Sequence, residues 1–382
     1  MYIGIVASIF GLSICIGPVL GGAFVDHVSW RWCFWINVPI GGAVILIILI
    51  FLKLKRSNEK LRSLSLKVRI SRMDIVGTIL FIGAICCLML ALQWGGQSLP
   101  WKSSKIIGLF VGFGLLLIPF CWVQWKRGDE ATLPLRVLRK RSILLGSLFL
   151  FFLFMANYVF TFYIPIYFQS VKGVSATASG VQFIAMMLPQ TLFALISGGL
   201  AFKWGFYVPY MVLGTAIGIV GFGLSINITV GTSTVTWAAY LVVCGLGSGL
   251  AMNLPYTALQ AVLQDVDTSI GNAILVFSSQ LGGAISLAIC QTLFVTQLVR
   301  EIPKHISTIS PASVVAAGAA NLGQLTSSPE ELAAIRASYA AALRPTYILA
   351  LAAMCCALMC ACGMERLNLK TVASQRKAQE EN

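Results

Sequence analysis

The sequence predicts an all-α polytopic membrane protein of about ten transmembrane helices, and three observations lead there. Hydrophobic residues make up 58% of the 382-residue chain and charged residues only 10%. A single water-soluble core has no use for that much apolar surface. The apolar residues gather in runs of about twenty, the length at which a helix crosses roughly 30 Å of hydrocarbon. Between the runs stand Gly, Pro and basic residues, which suit loops at a membrane surface.

The runs lie near 3–25, 33–52, 75–94, 105–125, 143–168, 178–202, 207–228, 236–257, 269–297 and 343–363. A short turn with Asp26, His27 and Arg31 joins the first two into a transmembrane hairpin. Gly11, Gly17, Pro18, Gly21 and Gly22 crowd the first run. Lipid-embedded helices tolerate this because neighbouring helices satisfy the freed backbone groups. Small residues permit close helix contact, so Gly17 and Gly21 are expected to approach a neighbour, with a kink at Pro18. Trp94 and Trp101, at a span end and in the turn beyond it, read as interfacial anchors, and Asp74 as a helix N-cap. Near the carboxy terminus, Ser328-Pro329-Glu330-Glu331 reads as an N-cap, a first-turn Pro and early acids. A short surface helix is expected from there to Ala342, separate from the last span.

The net charge of +14 sits in the loops rather than on one aromatic-laced face, so lipid headgroups, not nucleic acid, are the expected counterions. Basic residues concentrate in loops 53–72 and 126–141 and in the tail, which places both ends in the cytoplasm. The 11 cysteines lie in or beside apolar runs without C-x-x-C spacing, and there are only two histidines. They read as small hydrophobes, and neither metal nor cofactor is expected. The first run lacks a basic flank, so no cleaved signal peptide is expected. All 13 acidic residues fall at span ends or in loops, and no span holds paired histidines or a nucleophile with its base. An enzyme is therefore not expected. Asn227-Ile228-Thr229 is the one glycosylation sequon, on the outer side and close to the membrane.

The run Ser13-x-x-x-Gly17-Pro18-x-x-Gly21-Gly22 resembles the antiporter motif on the fifth helix of drug:proton antiporters of the major facilitator superfamily. The motif usually opens with Gly, and Ser13 keeps that position small. Trp30-Arg31-Trp32-Cys33-Phe34 and Ile36-Asn37-Val38-Pro39-Ile40-Gly41-Gly42 are similar to the sixth-helix start in its fourteen-span branch, especially in fungal toxin efflux pumps. The resemblance implies a major facilitator fold whose spans correspond to helices five to fourteen. Residues 1–53 then form a two-span remnant of the amino-terminal half, and 54–141 carry basic loops and two linker helices. Residues 142–364 form the carboxy-terminal six-helix half, and 365–382 a cytoplasmic tail.

The resemblance further implies proton-coupled efflux of a small lipophilic compound by alternating access around a midplane site. Asn157, Tyr158, Gln182, Gln190, Asn253 and Gln280, with Phe154 and Phe183, are candidates to line half of that cavity. Each also reads as an interhelical hydrogen-bonding residue. The proton-coupling residues are expected upstream of this chain. The implied partners are the substrate, protons and the bilayer, in the plasma membrane or, alternatively, a vacuolar or vesicle membrane. Two alternatives stand beside export: a truncated, transport-inactive product, and proton-coupled uptake.

Overall fold

The computed structural model describes residues 2–52, 74–96, 99–128, 131, 133–263, 265–306, 310–319, 322–326, 328–371 and 374. Its order is α1 (Tyr2–His27), α2 (Trp32–Trp35), α3 (Asn37–Phe51), α4 (Ile75–Trp94), α5 (Ser104–Arg127), α6 (Leu135–Leu138) and α7 (Arg141–Ile166). There follow α8 (Ala176–Trp204), α9 (Val208–Ser225), α10 (Thr234–Met252), α11 (Leu254–Val262), α12 (Asp265–His305), α13 (Pro311–Ala317) and α14 (Pro329–Gly363). Among the described residues nine helical segments are long and apolar enough to cross a membrane. Helix α1, 26 residues long, stands apart from these nine, with Ser13–His27 as a shorter apolar stretch among the described residues.

The core lies in the six-helix part. Phe149, Phe160, Phe168, Phe183, Phe222, Tyr339 and Tyr347 are buried in one cluster that draws on α7 to α10, α12 and α14. The Gly245-x-Gly247-x-Gly249 run of α10 shows how that bundle closes. Side chains added at Gly245 and Gly249 would strike the backbone of α8 at Met186 and Gln190, whereas one at Gly247 would strike α9 at Gly218. Alternate glycines thus seat α10 against two neighbours at once.

The helix pair α4 and α5 is pinned from below by a buried network. Asp74 caps α4 by accepting from the Gly77 N–H at 2.9 Å, as its position in the sequence leads one to expect. It also accepts from Gln124 Nε2 at 2.6 Å, and Arg127 Nε lies 3.4 Å away. The Gln124 carbonyl in turn accepts from the Leu133 N–H at 2.8 Å, which ties α5 to the chain entering the six-helix part. Above, Phe81 of α4 stacks on Phe120 of α5 and packs against Phe277 of α12.

Three expectations need correction. The surface helix and the last span are one 35-residue helix, α14, running straight through Pro345. Its Ala-rich amino-terminal half is a strong helix former, and one Pro removes a single donor without forcing a break when packing holds both sides. Ser328 occupies the cap position of α14 without a side-chain cap bond. Thr326 instead donates to Glu331 and accepts from the Ser328 N–H. The run 236–257 is divided at Asn253 into α10 and α11, because Pro255 at the head of α11 suits a new helix start. By contrast α3 has no buried residue within this chain.

Candidate functional site

The helix that carries the glycine-proline motif packs along α8, and its glycines divide by helical phase. Pro18 and Gly22, four residues apart, and Gly11 two turns earlier face α8. A methyl built on Gly22 would lie 2.5 Å from the Ala176 carbonyl oxygen and 2.7 Å from Thr177 Cα. One built on Gly180 would lie 2.5 Å from the Pro18 carbonyl oxygen, and one on Gly11 would overlap the Thr191 side chain. Backbone therefore meets backbone in this seam, which only glycine permits.

Ser13, Gly17 and Gly21 form the other stripe, again four residues apart. A methyl built at Gly17 or Gly21 meets nothing within 4 Å among the described residues. The expectation that these two glycines approach a neighbour is not met within this chain. Gly11 and Gly22 make that approach, because a helix advances about 100° per residue and a step of one residue turns the side chain to another face.

At the carboxy-terminal end of α1 the seam is fastened by a side chain. The Asp26 carboxylate accepts from the Thr177 N–H at 2.7 Å, the Thr177 hydroxyl at 2.6 Å and the Ala176 N–H at 3.2 Å. With Ser175, which accepts from the Ala178 N–H, it caps the amino terminus of α8. An anion at the positive end of a helix dipole is favourably placed. Asp26 is exposed in the last turn of α1, and its carboxyl is held below the usual carboxylate range, first by the Thr177 hydroxyl and then by the Thr177 N–H. Thr177 carries no sequence signal for the role, since its partner is 151 residues away.

The opposite end holds a second group of bonds. The Arg136 guanidinium forks onto the Asp267 carboxylate at 2.8 and 2.9 Å, joining α6 to α12. Lys140 donates to the Val262 carbonyl, Arg141 to the Gly363 carbonyl, and the Ser142 hydroxyl to Glu365. Both ends of the bundle are thus stitched, by Asp26 at one and by the basic loop before α7 at the other.

The polar residues singled out from the sequence resolve into pairs. Asn157 on α7 is buried, donates to the Leu153 carbonyl and accepts from Gln190 Nε2 of α8 at 2.9 Å. That pair is an interhelical bond inside the packing. Tyr158 of α7 and Gln280 of α12 form a second pair, with a 2.6 Å bond on an exposed face. Gly283 lets the Tyr158 ring lie directly on α12, and Phe154 and Phe162 flank it along α7. Gln182 keeps a buried amide oxygen without a hydrogen-bond partner among the described residues. Phe183 is wholly in the core, and Asn253 stands apart at the α10 to α11 break. Asn227 is exposed in the turn after α9, where the Thr229 hydroxyl of its sequon pairs with Thr232. Sequence reasoning missed Tyr163 and Gln291, whose side chains meet at 3.3 Å above the Tyr158 pair.

Nine membrane-length apolar helical segments among the described residues, an exposed polar pair on one face of the bundle and a glycine seam clasped at one end define a polytopic helical membrane protein of transporter architecture. The family model described as Major Facilitator Superfamily matches residues 1–287, and the chain belongs to that superfamily. It is 37% identical over 367 residues to the MFS-type transporter astH of Aspergillus oryzae, covering 96% of this chain and 64% of that protein. It is 38% identical over 370 residues to the MFS-type efflux pump MFS1 of Arthroderma benhamiae, covering 97% and 68%. It is 36% identical over 371 residues to the efflux pump aflT of Aspergillus parasiticus, covering 97% and 72%. The chain thus spans about two thirds of the length of the curated relatives it matches.

Proposed function

We propose that this chain serves the proton-driven export of a small lipophilic compound, of the drug, toxin or fungal secondary-metabolite kind, by alternating access. The observation that carries the reading is the clasped seam between α1 and α8. Export requires an outer opening, and in a helical transporter that opening comes from helices moving as rigid bodies about a central site. A seam in which backbone touches backbone and one exposed ion pairs with a helix terminus is suited to part and re-form, since few side chains must repack. The names of the relatives, efflux pumps among them, support the direction. In this reading Ser13, Gly17, Pro18, Gly21 and Gly22 give α1 its smooth faces, and Tyr158 and Gln280 offer hydrogen bonds to the passenger. Asp26 latches the outer end without carrying the proton, since its depressed pKa keeps it charged. We place the protein in the plasma membrane, where export reaches the medium.

The test is directional flux. Cells expressing the chain are loaded with the neutral dye Nile red, and the retained fluorescence is followed with and without a protonophore. Faster loss that the protonophore abolishes supports export, and net accumulation would support uptake instead.

A further inference from the structure

A cavity of about 370 Å³ opens between the inserted helix α4 and the six-helix part, and nothing in the export reading so far uses it. Met89 and Gln93 of α4 form one wall, Phe162, Tyr163 and Ile166 of α7 a second, and Ala284, Leu287, Ala288 and Gln291 of α12 the third. No lining residue is charged.

The cavity continues the polar pair described above. Tyr158, Phe162 and Ile166 follow one another at four-residue spacing on α7, and Gln280, Ala284, Leu287 or Ala288, and Gln291 at three- and four-residue spacing on α12. One groove therefore runs from the Tyr158–Gln280 bond outward to the Tyr163–Gln291 bond. At its outer part α4 supplies a third wall through Met89 and Gln93. Helix α4 is held against α12 at both ends of the groove, by the Phe81–Phe277 ring contact before Gln280 and by Thr292, which donates to the Gly95 carbonyl at 3.3 Å.

The polar groups in this outer part are under-used. The Gln93 amide makes no hydrogen bond among the described residues, and Gln291 accepts only the long bond from Tyr163 while its own N–H groups donate to nothing described. Both amides are exposed within this chain, Gln93 next to Trp94 at the end of α4, so their N–H groups are open to a ligand's acceptors. The volume lies within the roughly 300–1,000 Å³ range of drug-sized sites, and apolar walls with a few neutral polar groups are the composition such sites show.

We infer that α4, α7 and α12 form a lateral binding site for an uncharged, flat, largely apolar molecule with one or two hydrogen-bond acceptors, which Gln93 and Gln291 would satisfy. The inference rests on the export reading for its occupant, the passenger itself on its way between the Tyr158–Gln280 face and the outer leaflet. The inserted pair then acts as one wall of the path, and an ionic or zwitterionic headgroup has no counter-charge there.

The test is photolabelling of the whole chain in phosphatidylcholine nanodiscs with tritiated progesterone. This neutral molecule has the required shape, and its enone crosslinks under ultraviolet light. Label is expected on the peptides of Met89 and Phe162, reduced at least fivefold by Gln93→Leu together with Gln291→Leu and removed by Ala288→Trp, which fills the cavity. Since Ala288→Trp touches packing, Gln93→Leu on the exposed face is the variant whose folding is not at issue. Label spread evenly over the peptides, with α3 as the exposed reference, would mean that bilayer lipid alone fills the groove and would overturn the site. Focused label in a chain that exports no dye keeps the site and removes export. Export without focused label does the reverse.

Discussion

Gly22→Ala is the sharpest perturbation of the seam. The added methyl falls 2.6 Å from the Ala176 carbonyl carbon and 2.7 Å from Thr177 Cα, and both are backbone atoms that cannot turn aside. Carbon atoms rest at about 3.5–4.0 Å, so the facing ends of α1 and α8 must part by about 1 Å. Overpacking of this kind costs about 1–3 kcal/mol. Spent against the clasped state alone, that shifts the balance toward the parted seam about 5- to 150-fold. Nitroxide amino acids at Val25 and Val181, both exposed, report the separation by pulsed electron resonance and leave the 11 native cysteines untouched. A longer distance component should appear in Gly22→Ala and in Gly180→Ala, and be absent from Gly17→Ala and Gly21→Ala. If Gly22→Ala keeps the parent distance while Gly17→Ala or Gly21→Ala lengthens it, the phase assigned to α1 is wrong.

The other ties lend themselves to the same treatment. Asp26→Asn keeps an acceptor and loses the charge at the α8 dipole, so the parted fraction in the same resonance experiment should rise roughly two- to fivefold. Because the Asp26 pKa is depressed on folding, its contribution is complete above the unfolded value near 3.8 and is lost only as pH falls through the lower folded value. The parent distance should accordingly be unchanged between pH 8 and pH 5, and a transition in that window would contradict the assignment. Arg136→Met strands the buried Asp267 carboxylate, and thermal unfolding in detergent should show a loss of about 1–3 kcal/mol. Gln124→Leu removes a donor to Asp74 and the acceptor of the Leu133 N–H at once, and limited proteolysis should cut the chain between α5 and α6 at least several-fold faster.

Much of this molecule is legible in the residues. Span positions follow from run length, since hydrocarbon fixes how many apolar residues a helix needs, and Asp74 was readable as a cap because capping is local. The motif around Pro18 carried the family for the same reason: its residues are contiguous. What failed to show was phase and long-range pairing. Nothing near Gly17 or Gly22 in sequence says which of the two meets α8, and nothing near Asp26 points to Thr177. The fused α14 was hidden because its apolar run starts only near 343, so the Ala-rich stretch before it reads as a separate surface helix. Among the polar residues proposed for a cavity, Asn157 and Gln190 turned out to bond each other within the bundle, whereas Tyr158 and Gln280 met on an open face. The choice between these outcomes depends on which face each helix turns to its neighbour, and the spacing of isolated polar residues in wholly apolar helices leaves that undetermined.

Directional flux in sealed membranes bears most directly on the central claim. Inside-out vesicles from cells expressing the chain are given an acid lumen, and the entry of Nile red is followed by fluorescence against vesicles from control cells. Proton-driven export predicts lumenal accumulation that collapses when the gradient is dissipated and falls in Gly22→Ala. Accumulation equal to that of the control vesicles, or dye driven out of the lumen by the same gradient, would contradict it.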